Sequence, residues 1–255
     1  MKILVLMKQT FDTEEKIVLQ NGKVSEEGVE FIINPYDEYA IEEAVRIKEE
    51  TGGEVTVITV GPPRAEEALR TALAIGADDA VLIEQDGGEY DEYVTSKLLA
   101  SAIRDRSYDL ILGGNMAIDS GAGQVAIRVA EELGIAHVSS IVKLSIEGQT
   151  ATVERDVEGD VETIEVSLPL LATAQQGLNE PRYPSLPGIM KAKKKPLKRM
   201  AVDELGLAEE ELSSRTVVVE QYHPPRKQAG RILSGDPQQQ ATQLAQLLRN
   251  DAKLI

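Results

Sequence analysis

Along the first half of the chain, short apolar runs alternate with stretches in which apolar residues recur every three or four positions. Lys2–Met7 is an apolar run of strand length. Asp37–Thr51 (DEYAIEEAVRIKEET) has helical spacing, with acids early and basic residues late, as the helix dipole favours. Gly52 and Gly53 stop it. Glu54–Val60 is rich in β-branched residues and predicts a strand, after which Gly61-Pro62-Pro63 turns the chain. Arg64–Ile75 predicts a second helix closed by Gly76, and Ala80–Glu84 a third strand. Asp91–Arg106 predicts a third helix, Asp109–Gly114 a fourth strand, and Gly121–Leu133 a fourth helix closed by Gly134.

After Val138 the period changes. Residues 138–146 predict a strand with a turn at Glu147-Gly148. Thr150–Val157 and Val161–Ser167 alternate apolar and polar residues around Glu158-Gly159-Asp160, the mark of a hairpin. Pro169–Ala174 returns to an apolar run. Beyond Met200 the chain is acidic and sparsely apolar, with a short strand candidate at Thr216–Val219 and a rigid connector at His223-Pro224-Pro225. Asp236–Leu254 opens on Asp-Pro, a good helix start, and carries Leu244, Leu247 and Leu248 at helical spacing.

This order predicts an α/β fold: a Rossmann-like, doubly wound, mostly parallel sheet with right-handed crossovers, an antiparallel hairpin added at its edge, and an extended C-terminal arm. Residues 1–200 form the expected nucleotide-binding α/β domain, ending in a partner-recognition loop at 179–196. Residues 201–255 form the expected arm, too short for a full core of its own and so packed on the main domain or on a partner. Ligands on such sheets bind outside the carboxyl ends of the strands, where the strand order reverses.

Composition narrows the function. The chain has 255 residues, 42% apolar but only 4% aromatic, which suits a parallel sheet cored by Val, Leu, Ile and Ala. A net charge of −16 argues against nucleic acid as the main partner. There are no cysteines, so disulfides and thiolate chemistry are excluded. The two histidines, His137 and His223, lie far apart, which disfavours a His-based metal site or triad. No apolar run approaches the length of a membrane span, and the expectation is a soluble, cytoplasmic protein without membrane insertion.

Three segments carry candidate chemistry. Gly113–Gln124 (GGNMAIDSGAGQ) joins the fourth strand to the fourth helix; its glycines admit a ligand to the backbone, and the helix start behind it suits a phosphate. Asp119 or Ser120 is the candidate N-cap. The pattern is neither GxGxxG nor a Walker motif, and an ordinary glycine-rich connection has the same composition. Asn34–Asp37 (NPYD) is a turn and helix entry, or a loop that reads adenine or ribose at the same sheet end. Asn179–Pro196 (NEPRYPSLPGIMKAKKKP) holds Leu186 and Ile189 among prolines and a glycine, followed by Lys191, Lys193, Lys194 and Lys195, then Lys198 and Arg199. A proline-stiffened apolar knob beside a cationic collar suits transient contact, although a lysine cluster is also an ordinary solvated face. No carboxylate pair, nucleophile–base set or metal cluster stands out, so the chain reads as a binding module.

NPYDEYAIEEAVRIKE (34–49), RTALAIGADDAVLI (70–83), VERDVEGDVETIEVSLPLLATA (153–174) and the 179–196 segment together resemble the β subunits of electron-transfer flavoproteins, along essentially the whole chain. The likeness is strongest to members from Gram-positive bacteria. The resemblance implies a heterodimer with an α subunit that carries most of the contacts to one FAD. It implies an AMP buried in the β subunit and a C-terminal tail that wraps the α subunit. It implies an electron carrier rather than an enzyme, taking electrons from acyl-CoA and related dehydrogenases in fatty acid β-oxidation. A membrane-associated oxidoreductase would pass them to the quinone pool.

Position by position, the resemblance assigns AMP to Leu6, Asn34, Pro35, Tyr36, Asp37, Val60, Asp119, Ser120, Gly121, Ala122, Gly123, Gln124, Val125 and Ala126. Thr13 and Tyr36 would face the dimethylbenzene edge of the partner-held flavin. Leu186 would be the docking knob, with Pro187, Ile189 and Met190 around it and Lys191 and Lys194 beside it. The sequence departs from the family where the loop after Asp119 is shorter than in mitochondrial-type members and lacks their acids, and where Thr13 replaces an aromatic. Two alternatives stay open: an electron-bifurcating variant that oxidises NADH through a second FAD in place of AMP, and a non-redox nucleotide-binding scaffold.

Overall fold

The structure is a computed structural model that describes residues 1–85, 90–225, 227 and 229–255. Two compact units share the chain: one of Met1–Val18 with Ser25–Val219, the other of Leu19–Val24 with Glu220–Ile255.

The larger unit opens with β1 (Lys2–Leu6) and the short β2 (Gln9–Phe11); the hairpin strands β3 (Leu19–Gln20) and β4 (Lys23–Val24) belong to the smaller unit. β5 (Phe31–Ile33) pairs antiparallel with β2, a ribbon the hydrophobic pattern does not announce. Then follow α1 (Pro35–Thr51), β6 (Glu54–Gly61), α2 (Ala65–Ile75), β7 (Asp79–Glu84), α3 (Glu92–Arg104), β8 (Leu110–Gly114) and α4 (Val125–Leu133). The antiparallel part is β9 (Ala136–Glu147), β10 (Thr150–Val157) and β11 (Asp160–Ser167), and β12 (Leu170–Ala174) returns to the centre. A short helix α5 (Leu186–Ala192), strand β13 (Leu197–Ala201) and a 3-10 turn at Val202–Leu205 complete the elements of this unit.

The nine strands run in the order β11-β10-β9-β12-β8-β1-β6-β7-β13. Every neighbouring pair from β9 to β13 is parallel, and the β10–β11 hairpin adds antiparallel strands at one edge. The chain builds outward from β1 through β6 to β7, then crosses back to place β8 on the other side of β1. β1 shows how the sheet holds two cores. Ile3 and Val5 point to the layer covered by α1 and α2, while Leu4 and Leu6 point to the layer covered by α3 and α4. The strand buries both faces, which is why it reads as a continuous apolar run.

Three sequence expectations change. α4 begins at Val125 rather than Gly121, with Gln124, not Asp119 or Ser120, at the cap position. Gly121, with φ of +66°, turns the loop back on itself, its N–H donating to Ala117 O at 2.8 Å, and this delays the helix. Thr216–Val219 is not a strand. The main-chain amides of Arg215 and Thr216 instead donate to Asp91 Oδ2 at 2.6 and 2.9 Å. The 179–196 segment is not all loop, since α5 forms within it, and the basic residues Lys198 and Arg199 lie on edge strand β13.

In the smaller unit, α6 (Pro237–Asn250) starts on an Asp236 cap that accepts Gln239 N at 2.8 Å, and Gln221 Oε1 accepts Val24 N at 2.9 Å. Among the described residues, no helix is long and apolar enough to cross a membrane.

Candidate functional site: the cleft at the strand-order reversal

β1 and β8 are neighbours, yet their following loops depart in opposite directions, which opens a cleft at their carboxyl ends. A cavity of about 210 Å³ sits there. Leu6, Met7 and Lys8 at the carboxyl end of β1, Val60 at the end of β6 and Gly113 to Ala117 at the carboxyl end of β8 form its base. Tyr90, Thr95 and Leu99 add an apolar wall from the α3 side, and the start of α4 closes the remainder.

Asp37 holds the base together. Its Oδ2 accepts Lys8 N at 2.7 Å and its Oδ1 accepts Gly114 N at 2.8 Å, so one carboxylate bridges the ends of the two central strands. Asn34 does the same one step further out: its Nδ2 donates to Met116 O at 2.9 Å and its Oδ1 accepts Ile118 N at 3.1 Å. Pro35 at the first helical position places both side chains, because its fixed φ starts α1 directly after Asn34. Burial pushes the Asp37 carboxyl up to about 7, against the opposing pull of the Lys8 amide, the Asn34 side chain, the Gly114 amide and the Lys8 charge.

Glycine is required where the base is tightest. A Cβ on Gly114 would strike Asp37 Oδ1 and lie 2.7 Å from Tyr36 Cβ, and one on Gly123 would lie 2.9 Å from Asn115 O. Over the mouth, Lys8 Nζ reaches Asp119 Oδ1 at 2.7 Å. Both groups are partly exposed, so the pair contributes little to stability.

The structure brings most of the sequence-derived positions together. Leu6, Asn34, Asp37, Val60, Ser120 and the stretch Ala122–Ala126 face one cavity. Pro35, Tyr36, Asp119 and Gly121 lie outside its lining. Thr13 is exposed after β2 and Tyr36 half-buried in the first turn of α1. Sequence reasoning missed Lys8, which directly follows the predicted strand Lys2–Met7, while Gly114 falls within the glycine-rich segment it singled out. It also missed Tyr90, Thr95 and Leu99, which carry no local signal because α3 reaches the cleft only through the fold.

A second surface lies on α5. Ser185 caps it, its Oγ accepting Gly188 N at 3.1 Å. Leu186 is 80% exposed, Met190 72% and Ile189 42%, and Lys191, Lys193, Lys194 and Lys198 are exposed around them. The cationic collar is smaller than the composition suggests. Lys195 Nζ turns inward to Leu73 O and Ala77 O at 2.9 and 2.6 Å, at the end of α2. Burial holds its ammonium below the usual lysine range. Arg199 pairs with Glu66 at 2.6 Å and Glu84 at 3.4 Å.

The fold is that of an α/β module: a doubly wound sheet with a glycine-lined cleft at its strand-order reversal and, elsewhere, a short helix with an exposed apolar, lysine-bordered face. The model of the electron transfer flavoprotein domain matches residues 21–205. The electron transfer flavoprotein subunit beta of Bacillus subtilis is 58% identical over the full length of both chains. That of Syntrophomonas wolfei is 44% identical over all of this chain and 98% of its own. The Acetobacterium woodii protein named Caffeyl-CoA reductase-Etf complex subunit CarD is 41% identical over 92% of each chain. The chain belongs to the electron transfer flavoprotein β-subunit family.

Proposed function

We propose that this chain pairs with an α subunit as a heterodimeric electron carrier, binds AMP in the cleft, helps hold the FAD of its partner, and docks acyl-CoA and related dehydrogenases. The observation that carries this reading is α5, where Leu186, Ile189 and Met190 stand outward next to exposed lysines instead of entering a core. A small apolar anchor with a basic rim suits fast, transient association of the kind an electron shuttle needs. A nucleotide-binding scaffold has no use for such a face.

AMP fits the residues of the cleft. Leu6, Val60, Tyr90 and Leu99 offer apolar surface for a base, and the glycines leave the backbone uncovered. The start of α4 presents main-chain N–H groups and the positive end of its dipole towards a phosphate. Asn34 and Asp37 shape this site rather than read the ligand, since their side-chain atoms are engaged by the backbone.

The FAD of the heterodimer supplies the redox chemistry. This chain's part would be to help hold the flavin and exclude water, with Thr13 and Tyr36 as the residues that would lie near its dimethylbenzene edge. The exposed Tyr222, Ile232, Leu254 and Ile255 of the smaller unit support an arm that packs on the α subunit. Electrons would leave towards the quinone pool through a membrane-associated oxidoreductase.

The test is the nucleotide content of the purified α–β complex after acid extraction. One FAD and one AMP per heterodimer is the expected result. Two FAD and no AMP would replace this reading with the bifurcating one, and neither nucleotide in a folded heterodimer would leave only the scaffold.

A further inference from the structure

We infer that Arg182 and Lys195 are positioning residues that fix the two roots of α5, so that Leu186, Ile189 and Met190 are set for a partner before contact. This rests on the docking reading above.

Helix α5 has seven residues, too few to be ordered by its own hydrogen bonds. Its order comes from the segments on either side. On the N-terminal side, the Arg182 guanidinium forks onto Glu42, with Nε to Oε2 and Nη2 to Oε1 both at 2.9 Å. The Arg182 main-chain N donates to the same carboxylate at 3.1 Å, and Nη1 reaches Glu49 Oε1 at 2.7 Å. Glu42 is 4% exposed, so this carboxylate has exchanged water for the arginine. Three residues earlier, Asn179 Nδ2 donates to Tyr39 O at 3.0 Å and Glu43 Oε2 at 2.9 Å. All of these acceptors lie on α1.

On the C-terminal side the support is α2. Lys195 Nζ donates to Leu73 O in the last turn of that helix and to Ala77 O just beyond it. Arg70 Nη1 returns the contact, donating to Ala192 O at 3.0 Å and Lys195 O at 2.9 Å. Between the two roots Gly188 rests directly on Ala74 O, where a Cβ would clash. The segment is therefore a stapled platform: Asn179, Arg182 and Lys195 hold it to the fold, while Leu186, Ile189 and Met190 face solvent beside the exposed Lys191, Lys193 and Lys194. Ordering that a free loop would undergo on contact is completed on folding, which strengthens binding without adding any contact.

The experiment uses the intact α–β complex and a purified acyl-CoA dehydrogenase as probe, with the complex as the varied substrate. Arg182→Met and Lys195→Met should each raise the half-saturating concentration about five- to tenfold, the scale of one lost ordering contribution. The maximal rate and the FAD and AMP content should not change. Leu186→Ala is the reference. If it has no effect, the docking reading fails and the platform with it. If it weakens docking while Arg182→Met and Lys195→Met do not, the platform alone is overturned.

Combining Leu186→Ala with Arg182→Met separates positioning from general damage. A combined effect smaller than the product of the two supports action through Leu186, and a full product overturns it. Should Arg182→Met fail to assemble, Arg182→Lys keeps a charge against Glu42 but loses the fork. It should give an intermediate rise, and an unchanged half-saturating concentration there would overturn the role of Arg182.

Discussion

Asp37 Oδ1 accepts the Gly114 amide at 2.8 Å, and any side chain at Gly114 would drive its Cβ into that same oxygen. The two residues are a matched pair: the carboxylate bridges β1 and β8 only because nothing projects from β8 at that point. Gly114→Ala should therefore cost about 1–3 kcal/mol, the range for overpacking a tight interior. It should also release nucleotide from the cleft. Thermal melting and AMP content of the purified heterodimer check both, and an unshifted melting temperature would show that the clamp yields freely.

The same carboxylate makes stability depend on pH. Burial raises Asp37 from 3.8 to about 7, so the folded state binds this proton more tightly than the unfolded chain. Stability from this group therefore falls as pH rises between about 4 and 7, in the sense opposite to a salt-bridged aspartate. Glu38 and Glu43, also raised by burial, act in the same sense, whereas Glu49, Glu66 and Asp91, held below the usual carboxylate range by hydrogen bonds, act in the opposite one. Asp37→Asn isolates the group. It should lower the melting temperature overall, because the amide nitrogen cannot accept a backbone N–H, and it should flatten the slope across that window. A parallel pH profile in variant and parent would argue against the shift.

Lys191 and Lys194 are exposed and lie beside the apolar residues of α5. Their charge acts at long range. Lys191→Gln with Lys194→Gln should slow association with a dehydrogenase several-fold at low salt and flatten its salt dependence, while dissociation changes little. Stopped-flow association at two ionic strengths decides this, and an unchanged salt slope would remove the lysines from steering.

Asp91 serves two segments at once. Oδ1 caps α3 by accepting Val94 N at 2.9 Å, and Oδ2 accepts Arg215 N and Thr216 N. Burial opposes its charge, but these hydrogen bonds outweigh burial and hold the carboxyl below the usual aspartate range. Asp91→Ala should cost about 1–2 kcal/mol from the cap alone. It should also expose the chain near residue 215 to protease. Urea unfolding and limited proteolysis measure the two effects separately.

The strands and helices of the sheet were legible because each is set by burial of neighbouring positions. The continuous run of β1 and the three- and four-residue spacing of α1 are statements about consecutive residues. The location of the cleft was legible for the same reason, since the order of elements implies where the strand order reverses. Strand β13 was not legible. Leu197–Ala201 is two-fifths basic, and it is a strand only because β7 offers an edge from Ala80 to Glu84. The N-terminus of α4 was misplaced because Gly121 and the Ala117 carbonyl, not helix propensity, decide where the loop ends.

By itself the sequence determined the doubly wound sheet, the place of the cleft and the presence of an apolar knob among lysines, all of which follow from local pattern and element order. Only the tertiary structure decided which polar groups are spent inside the fold. Arg182 meets Glu42 across 140 residues, Lys195 meets Leu73 across 122, and Asp37 meets Gly114 across 77. The physical reason is that a charged or amide side chain has no intrinsic address. Its partner is whatever the packed sheet and helices bring within hydrogen-bonding distance, and desolvation then makes that pairing obligatory.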